Sequence, residues 1–140
     1  MISVRKQEVV KLENVLHLYQ AVGWTNYTHQ PQMLEQALSH SLAIYLALDG
    51  EAIVGLVRLV GDGFSSVFVQ DLIVLPSYQR QGIGSALMKE ALGDFKEAYQ
   101  IQLATDQTEK NLEFYRSLGF ETLSTYDCTG MIWVERKKIK

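Results

Sequence analysis

A single cysteine, Cys128, in 140 residues leaves no internal disulfide to be made and points to a reducing compartment. No excess of basic charge is present either: 13 Lys and Arg face 16 Asp and Glu, for a formal charge of −3. That balance lacks the basic stripe that nucleic acid would require, and it is compatible with cationic substrates such as amines. No apolar run approaches the roughly 20 residues that span a bilayer. The opening stretch from Met1 to Glu8 lacks the apolar core of a secretory signal. A soluble cytoplasmic protein without nucleic-acid or membrane partners is the expectation. His17, His29 and His40 have neither metal-like spacing nor partnering carboxylates, so no metal is expected.

Internal repeats, low-complexity tracts and linkers rich in Gly, Pro or Ser are also missing, so residues 1–140 read as one domain. What is present is patterned. Residues 2–5 suit a first strand. Leu12, Val15, Leu16, Tyr19 and Val22 recur at helical spacing, with Gly23 as a stop signal. Pro31 suits the first turn of a second helix whose buried face is Met33, Leu34, Ala37 and Leu38. Three strands follow, Ser41 to Leu48, Glu51 to Val60 and Ser66 to Leu75, with Asp49-Gly50 as a hairpin signal. Ile83, Leu87, Met88, Leu92, Phe95 and Tyr99 predict a long amphipathic helix. A strand at Ile101–Thr105 comes next, then a helix opened by a capping-box-like Asp106 and Glu109. Terminal strands are expected around Phe120–Tyr126 and Met131–Glu135. The sum is an α/β (α+β) domain: a mixed, mostly antiparallel central sheet of about seven strands flanked by four helices.

One segment carries chemistry. The strand ending Asp71-Leu72-Ile73-Val74 runs through Pro76 and a polar turn into a helix opening near Gly82. Backbone N–H groups at a helix start have no internal partners, and the macrodipole adds positive potential there. A phosphate can use both, and glycines at 82 and 84 allow close approach. Arg80 would add a charge-assisted contact. Gly-Lys-Ser/Thr is absent, which excludes a Walker loop. Leu87 stands where a dinucleotide fingerprint needs a small residue, and the turn follows a meander instead of the first strand of a βαβ unit.

Here the chain resembles the GNAT family of acyl-CoA N-acyltransferases. Gln79-x-x-Gly82-x-Gly84 is similar to the family's diphosphate signature, with Val74-x-Pro76 before it. Phe114-Tyr115-Arg116-Ser117-Leu118-Gly119-Phe120 resembles its second signature, and the order of elements matches over nearly the whole chain. Thr108 and Asn111 stand where the family commonly has Asn and Ala.

The resemblance implies a fold with two strands splayed at a cofactor cleft, often through a bulge. It implies acetyl-CoA as co-substrate, its pantetheine bonded by backbone at Leu72, Ile73 and Val74. Gln79, Arg80, Gln81, Gly82, Ile83, Gly84 and Ser85 would hold the diphosphate, with Asn111 as a further polar contact. A primary amine would attack the thioester directly. Tyr115 would be the acid for the departing thiolate, and Asp71 a water-relayed base; a core aromatic and a structural carboxylate are the competing roles. Trp24 and Tyr27 would line the pocket of a small-molecule or peptide amine. A non-catalytic acyl-CoA-binding sensor of the same fold is the rival reading. The family often pairs through sheet edges or helices, which leaves a homodimer open.

Overall fold

The computed structural model describes residues 1–134, and the chain divides into two units, Met1–Ala104 and Thr105 onward. In the first unit β1 (Ile2–Lys6) precedes α1 (Leu12–Ala21), a single turn α2 (Thr25–Thr28) and α3 (Pro31–Ser39). A meander follows: β2 (Ala43–Asp49), β3 (Ala52–Gly61) and β4 (Ser66–Val74). A 3-10 turn (Pro76–Tyr78), α4 (Ile83–Asp94) and β5 (Gln100–Leu103) complete it. The sheet order is β1-β2-β3-β4-β5, antiparallel except for the β4–β5 pair.

The turns explain the meander. Gly50, at φ +64, closes the β2–β3 hairpin, where a side chain would be strained. Between β3 and β4, Asp62 Oδ1 accepts the backbone N–H groups of Phe64, Ser65 and Ser66 at 2.7, 2.8 and 3.1 Å. Each sheet face is covered, which is why β2 is buried throughout from Ala43 to Leu48 and β3 from Val54 to Leu59. Ile44, Leu46, Leu48, Leu56 and Ile73 pack with Val15, Leu18 and Tyr19 of α1 and with Leu34 and Leu38 of α3. Each fully buried Leu there contributes about 1.5–3 kcal/mol. On the other face Gly55 lies so close to Leu87 of α4 that an added Cβ would stand 3.3 Å from its Cδ1.

A bulge shifts the phase of β4. Arg58 pairs with Asp71 but Leu59 pairs with Val69, so Gln70 is inserted without a partner. Residues paired across a ladder share a face. Val69 therefore joins Leu59 on the α4 side, while Asp71, only two residues on, points with Arg58 towards α1–α3.

The second unit contains α5 (Glu109–Ser117) and a 3-10 turn at Leu123–Tyr126. Among the described residues no helix is long and apolar enough to cross a membrane.

Several expectations need correcting. Among the described residues the sheet has five strands, not seven, and α2 makes five helices instead of four. Phe120–Tyr126 is not a strand: its Thr122, Leu123 and Ser124 carbonyls accept local backbone bonds from Thr125, Cys128 and Asp127. The Thr122 hydroxyl also lies 3.2 Å from those of Ser124 and Thr125, and such local bonds compete with a ladder. Met131–Val134 is exposed and has no strand partner among the described residues; Glu135 and the basic tail lie outside them. The helix expected to reach Tyr99 stops at Asp94, and Tyr99 turns out to bond Phe64 O through its N–H at 2.8 Å. The cap of α5 is Thr108, which accepts the Asn111 N–H at 3.1 Å, not Asp106.

Candidate active site

The parting of two strands makes the groove. β5 accompanies β4 only along Ser66–Val69, so from the bulge onward β4 has no strand partner on that side among the described residues. The Leu75 N–H bonds Val54 O at 2.9 Å, which fixes the alternation of the β3–β4 ladder. Leu75, Ile73 and Asp71 then occupy the bonded positions towards β3. Leu72 and Val74 occupy the others, so their N–H and C=O groups point into the gap. Of the three residues expected to offer backbone to a ligand, Leu72 and Val74 turn theirs to the gap; Ile73 turns its backbone to β3 and its side chain into the core.

The polar turn lies directly beyond. Gln79 Nε2 donates to Val74 O at 3.1 Å, and the Tyr78 hydroxyl donates to Asp49 Oδ2 at 2.7 Å. Arg80 has φ +66 and Gly82 φ +80, two left-handed positions bracketing Gln81. Gly82 is the N-cap of α4, with no capping side chain and no acidic residue in the first turn. The N–H groups of Ile83, Gly84 and Ser85 therefore open the helix uncapped, beside the exposed Gln79, Arg80 and Gln81.

Under the inner face of β4 sits a buried charge cluster. Asp71 and Arg58 are 2% and 4% exposed. Arg58 Nε donates to Asp71 Oδ2 at 2.8 Å, and the Tyr19 hydroxyl donates to the same oxygen at 2.9 Å. The Tyr27 hydroxyl donates to Asp71 Oδ1 at 2.9 Å and accepts from Arg58 Nη2 at 3.2 Å. Arg58 Nη1 reaches Ser41 Oγ at 3.2 Å and Ala37 O at 3.4 Å. Burial, and then the Asp71 charge, push both phenols above the ordinary tyrosine value, so they are donors throughout the physiological range. Trp24 joins them through its ring: Tyr19 and Tyr27 centroids are 5.1 Å apart, and each lies 6.2 Å from Trp24. α1 and α2 thus bring Tyr19, Trp24 and Tyr27 together over Asp71.

In the second unit Tyr115 is half-buried between Phe114 and Phe120, at ring centroid distances of 4.9 and 5.9 Å. Burial raises its pKa, against a smaller lowering by the Thr105 hydroxyl. Asn111 Nδ2 donates to Thr105 Oγ1 at 3.1 Å and to Asp106 O at 3.3 Å, so the expected ligand contact braces its own loop.

Sequence reasoning missed Arg58, Tyr19, Asp49 and Tyr78. Arg58 had a signal: it is the one charge in β3, as Asp71 is in β4.

Comparisons with known proteins identify the family and the fold. The acetyltransferase (GNAT) domain family matches residues 40–122. A solved GNAT-family acetyltransferase from Streptococcus pneumoniae TIGR4 is 80% identical, with a TM-score of 0.91 over 98% of this chain and 100% of that one. GCN5-related N-acetyltransferase 1, chloroplastic, from Arabidopsis thaliana is 29% identical over 97% of this chain and 68% of its own length. A GNAT-family acetyltransferase from Elizabethkingia anophelis, solved with acetyl-CoA bound, shares the fold at 21% identity and a TM-score of 0.63, over 86% of this chain and 76% of that one.

Proposed function

Because the chain belongs to the GNAT family of acetyltransferases, we propose that it transfers an acetyl group from acetyl-CoA to a primary amine by direct attack on the thioester. The observation that carries this is the gap beside Leu72 and Val74 running into the uncapped start of α4. A chain of amides fits the first and a diphosphate the second. The acetyl-CoA-bound relative of the same fold supports the choice of ligand.

In this reading the Leu72 and Val74 backbone groups bond the pantetheine amides and polarise the thioester carbonyl, while residues 79–85 hold the diphosphate. The amine nitrogen forms a bond to the carbonyl carbon. The intermediate then collapses with cleavage of the carbon–sulfur bond. Tyr115, kept protonated by burial, gives its proton to the departing thiolate, and the second proton lost by the nitrogen on forming the amide returns through water to the phenol. The attacking amine must first lose a proton, since alkyl ammonium groups have a pKa of about 10.4. Asp71 already accepts from Arg58 and two phenols. Its part is to fix Tyr27 at the acceptor end, with Trp24 beside it, and the amine sheds its proton to water. Positioning supplies much of the rate.

Thiol release from acetyl-CoA across a panel of amines, polyamines, amino acids, aminoglycosides and peptides tests this. Amine-dependent release, absent in Gly82→Asp, is expected. Calorimetry showing the same acetyl-CoA affinity in Gly82→Asp would remove the diphosphate assignment. Binding without release for any amine would favour a sensor.

A further inference from the structure

We propose that Asp49 and Tyr78 are positioning residues for acetyl-CoA, a brace from the β2–β3 hairpin that holds the diphosphate turn ready for its ligand. The inference rests on the reading that residues 79–85 bind the diphosphate.

The turn needs holding. Arg80, a non-glycine residue, sits at φ +66, a conformation its own side chain disfavours, and Gly82 follows at φ +80. No side chain caps the helix that begins there. Two side-chain bonds hold the chain just upstream instead. Gln79 Nε2 ties the turn to Val74 O at 3.1 Å, the end of its own strand. Tyr78 ties it across the sheet: its hydroxyl donates to Asp49 Oδ2 at 2.7 Å, and Asp49 ends β2, on the far side of β3 from β4. Asp49 Oδ1 in turn lies 3.4 Å from the Met1 amine. The Tyr78 bond lowers the Asp49 pKa and raises that of the phenol, so the contact stays between a carboxylate and a protonated donor at neutral pH.

This contact contributes to binding more than to folding. The Asp49 side chain is 37% exposed and Tyr78 half-buried, and neither belongs to the core cluster beneath the sheet. Cutting the bond leaves the core intact and frees the turn. The ligand must then order Arg80 to Gly82 when it binds, and that ordering weakens its affinity.

The test compares acetyl-CoA, by calorimetry, with S-acetylpantetheine, by NMR titration, on wild type, Tyr78→Phe, Asp49→Ala and the double variant. The second ligand carries the thioester arm without the diphosphate. Gly82→Asp is the control for the site. The acetyl-CoA Kd should rise about three- to tenfold in each single variant, the range of one hydrogen bond to a charged group. The double variant should be no worse than either single, because the two residues act through one another. The S-acetylpantetheine Kd and the melting temperature of the free protein should stay put. An acetyl-CoA Kd within twofold of wild type in Tyr78→Phe, while Gly82→Asp abolishes binding, overturns the brace alone. Equal weakening of both ligands also overturns it. Unchanged acetyl-CoA affinity in Gly82→Asp brings down the diphosphate reading and the brace with it.

Discussion

Arg58 Nε stands 2.8 Å from Asp71 Oδ2, with the two side chains only 5% and 2% exposed. Two opposite charges have left water together at the point where β4 is bulged. Such a pair repays its desolvation only when the remaining donors and acceptors are also satisfied. Tyr19, Tyr27, Ser41 and the Ala37 carbonyl provide that completion.

Removing one partner should therefore cost more than removing both. Asp71→Leu, which strands a buried guanidinium, should lower the unfolding free energy by about 3–5 kcal/mol. Arg58→Met with Asp71→Leu should lose less than Asp71→Leu or Arg58→Met alone. Urea denaturation of the four proteins checks the cycle.

A pH profile separates the structural role of Asp71 from a base. For Asp71→Asn, kcat/KM should keep the wild-type rise with pH, because that rise follows the ionisation of the amine itself. A lost alkaline limb in the Asn variant would return the proton-accepting role to Asp71.

Tyr115→Phe keeps the ring that packs against Phe114 and Phe120 but deletes the proton. We expect kcat to fall about 100-fold, the usual reach of one general acid. The KM for acetyl-CoA should change little. Steady-state kinetics with an unchanged kcat would remove Tyr115 from the chemistry.

Gly55→Ala should destabilise the sheet next to the groove. Its Cβ would stand 2.9 Å from Ile73 O, a backbone atom that cannot swing aside, and 3.3 Å from Leu87 Cδ1. Overpacking of this kind costs about 1–3 kcal/mol. Thermal unfolding of the variant, with and without acetyl-CoA, measures it.

Alkaline pH should unfold the protein through its phenols. Tyr19, Tyr27 and Tyr45 are raised above the ordinary value, mainly by burial. Phenols of the unfolded chain ionise near 10. Their stabilising contribution is whole below about pH 10 and is lost as pH climbs through the higher folded values. Unfolding free energy should be level from about pH 8 to 9.5 and fall above that. Tyr19→Phe should flatten the fall.

Local rules made most of the first unit legible. Asp49-Gly50 placed a hairpin, helical spacing placed α1 and α3, and the glycines placed the turn that opens α4. What escaped depends on contacts distant in sequence. Straight hairpin counting from the Gly61–Val67 pair sets Arg58 against Gln70; only the inserted residue sets it against Asp71. The ion pair could be suspected from two lone charges in apolar strands, but its register could not. Tyr78 and Asp49 are 29 residues apart, and no periodicity joins them. After Phe120 the alternation was too weak to outweigh the hydroxyls of Thr122, Ser124 and Thr125, which bond one another.

The inserted Gln70 has a consequence for how this chain tolerates lengthening and shortening. Most surface strands absorb a substitution and lose little. Loss of the Gln70 codon is the one shortening of β4 that keeps its partners: straight counting from the Gly61–Val67 pair then sets Arg58 against Asp71, and the residues downstream keep their faces. Loss of Asp71, Leu72 or Ile73 has no such escape, because each removes a side chain or a backbone group from the charge cluster, the gap or the core. A deletion at the exposed glutamine should thus be borne better than a deletion at any of those three. Deletion scanning along Gln70–Val74 would show activity and stability kept best at its first position.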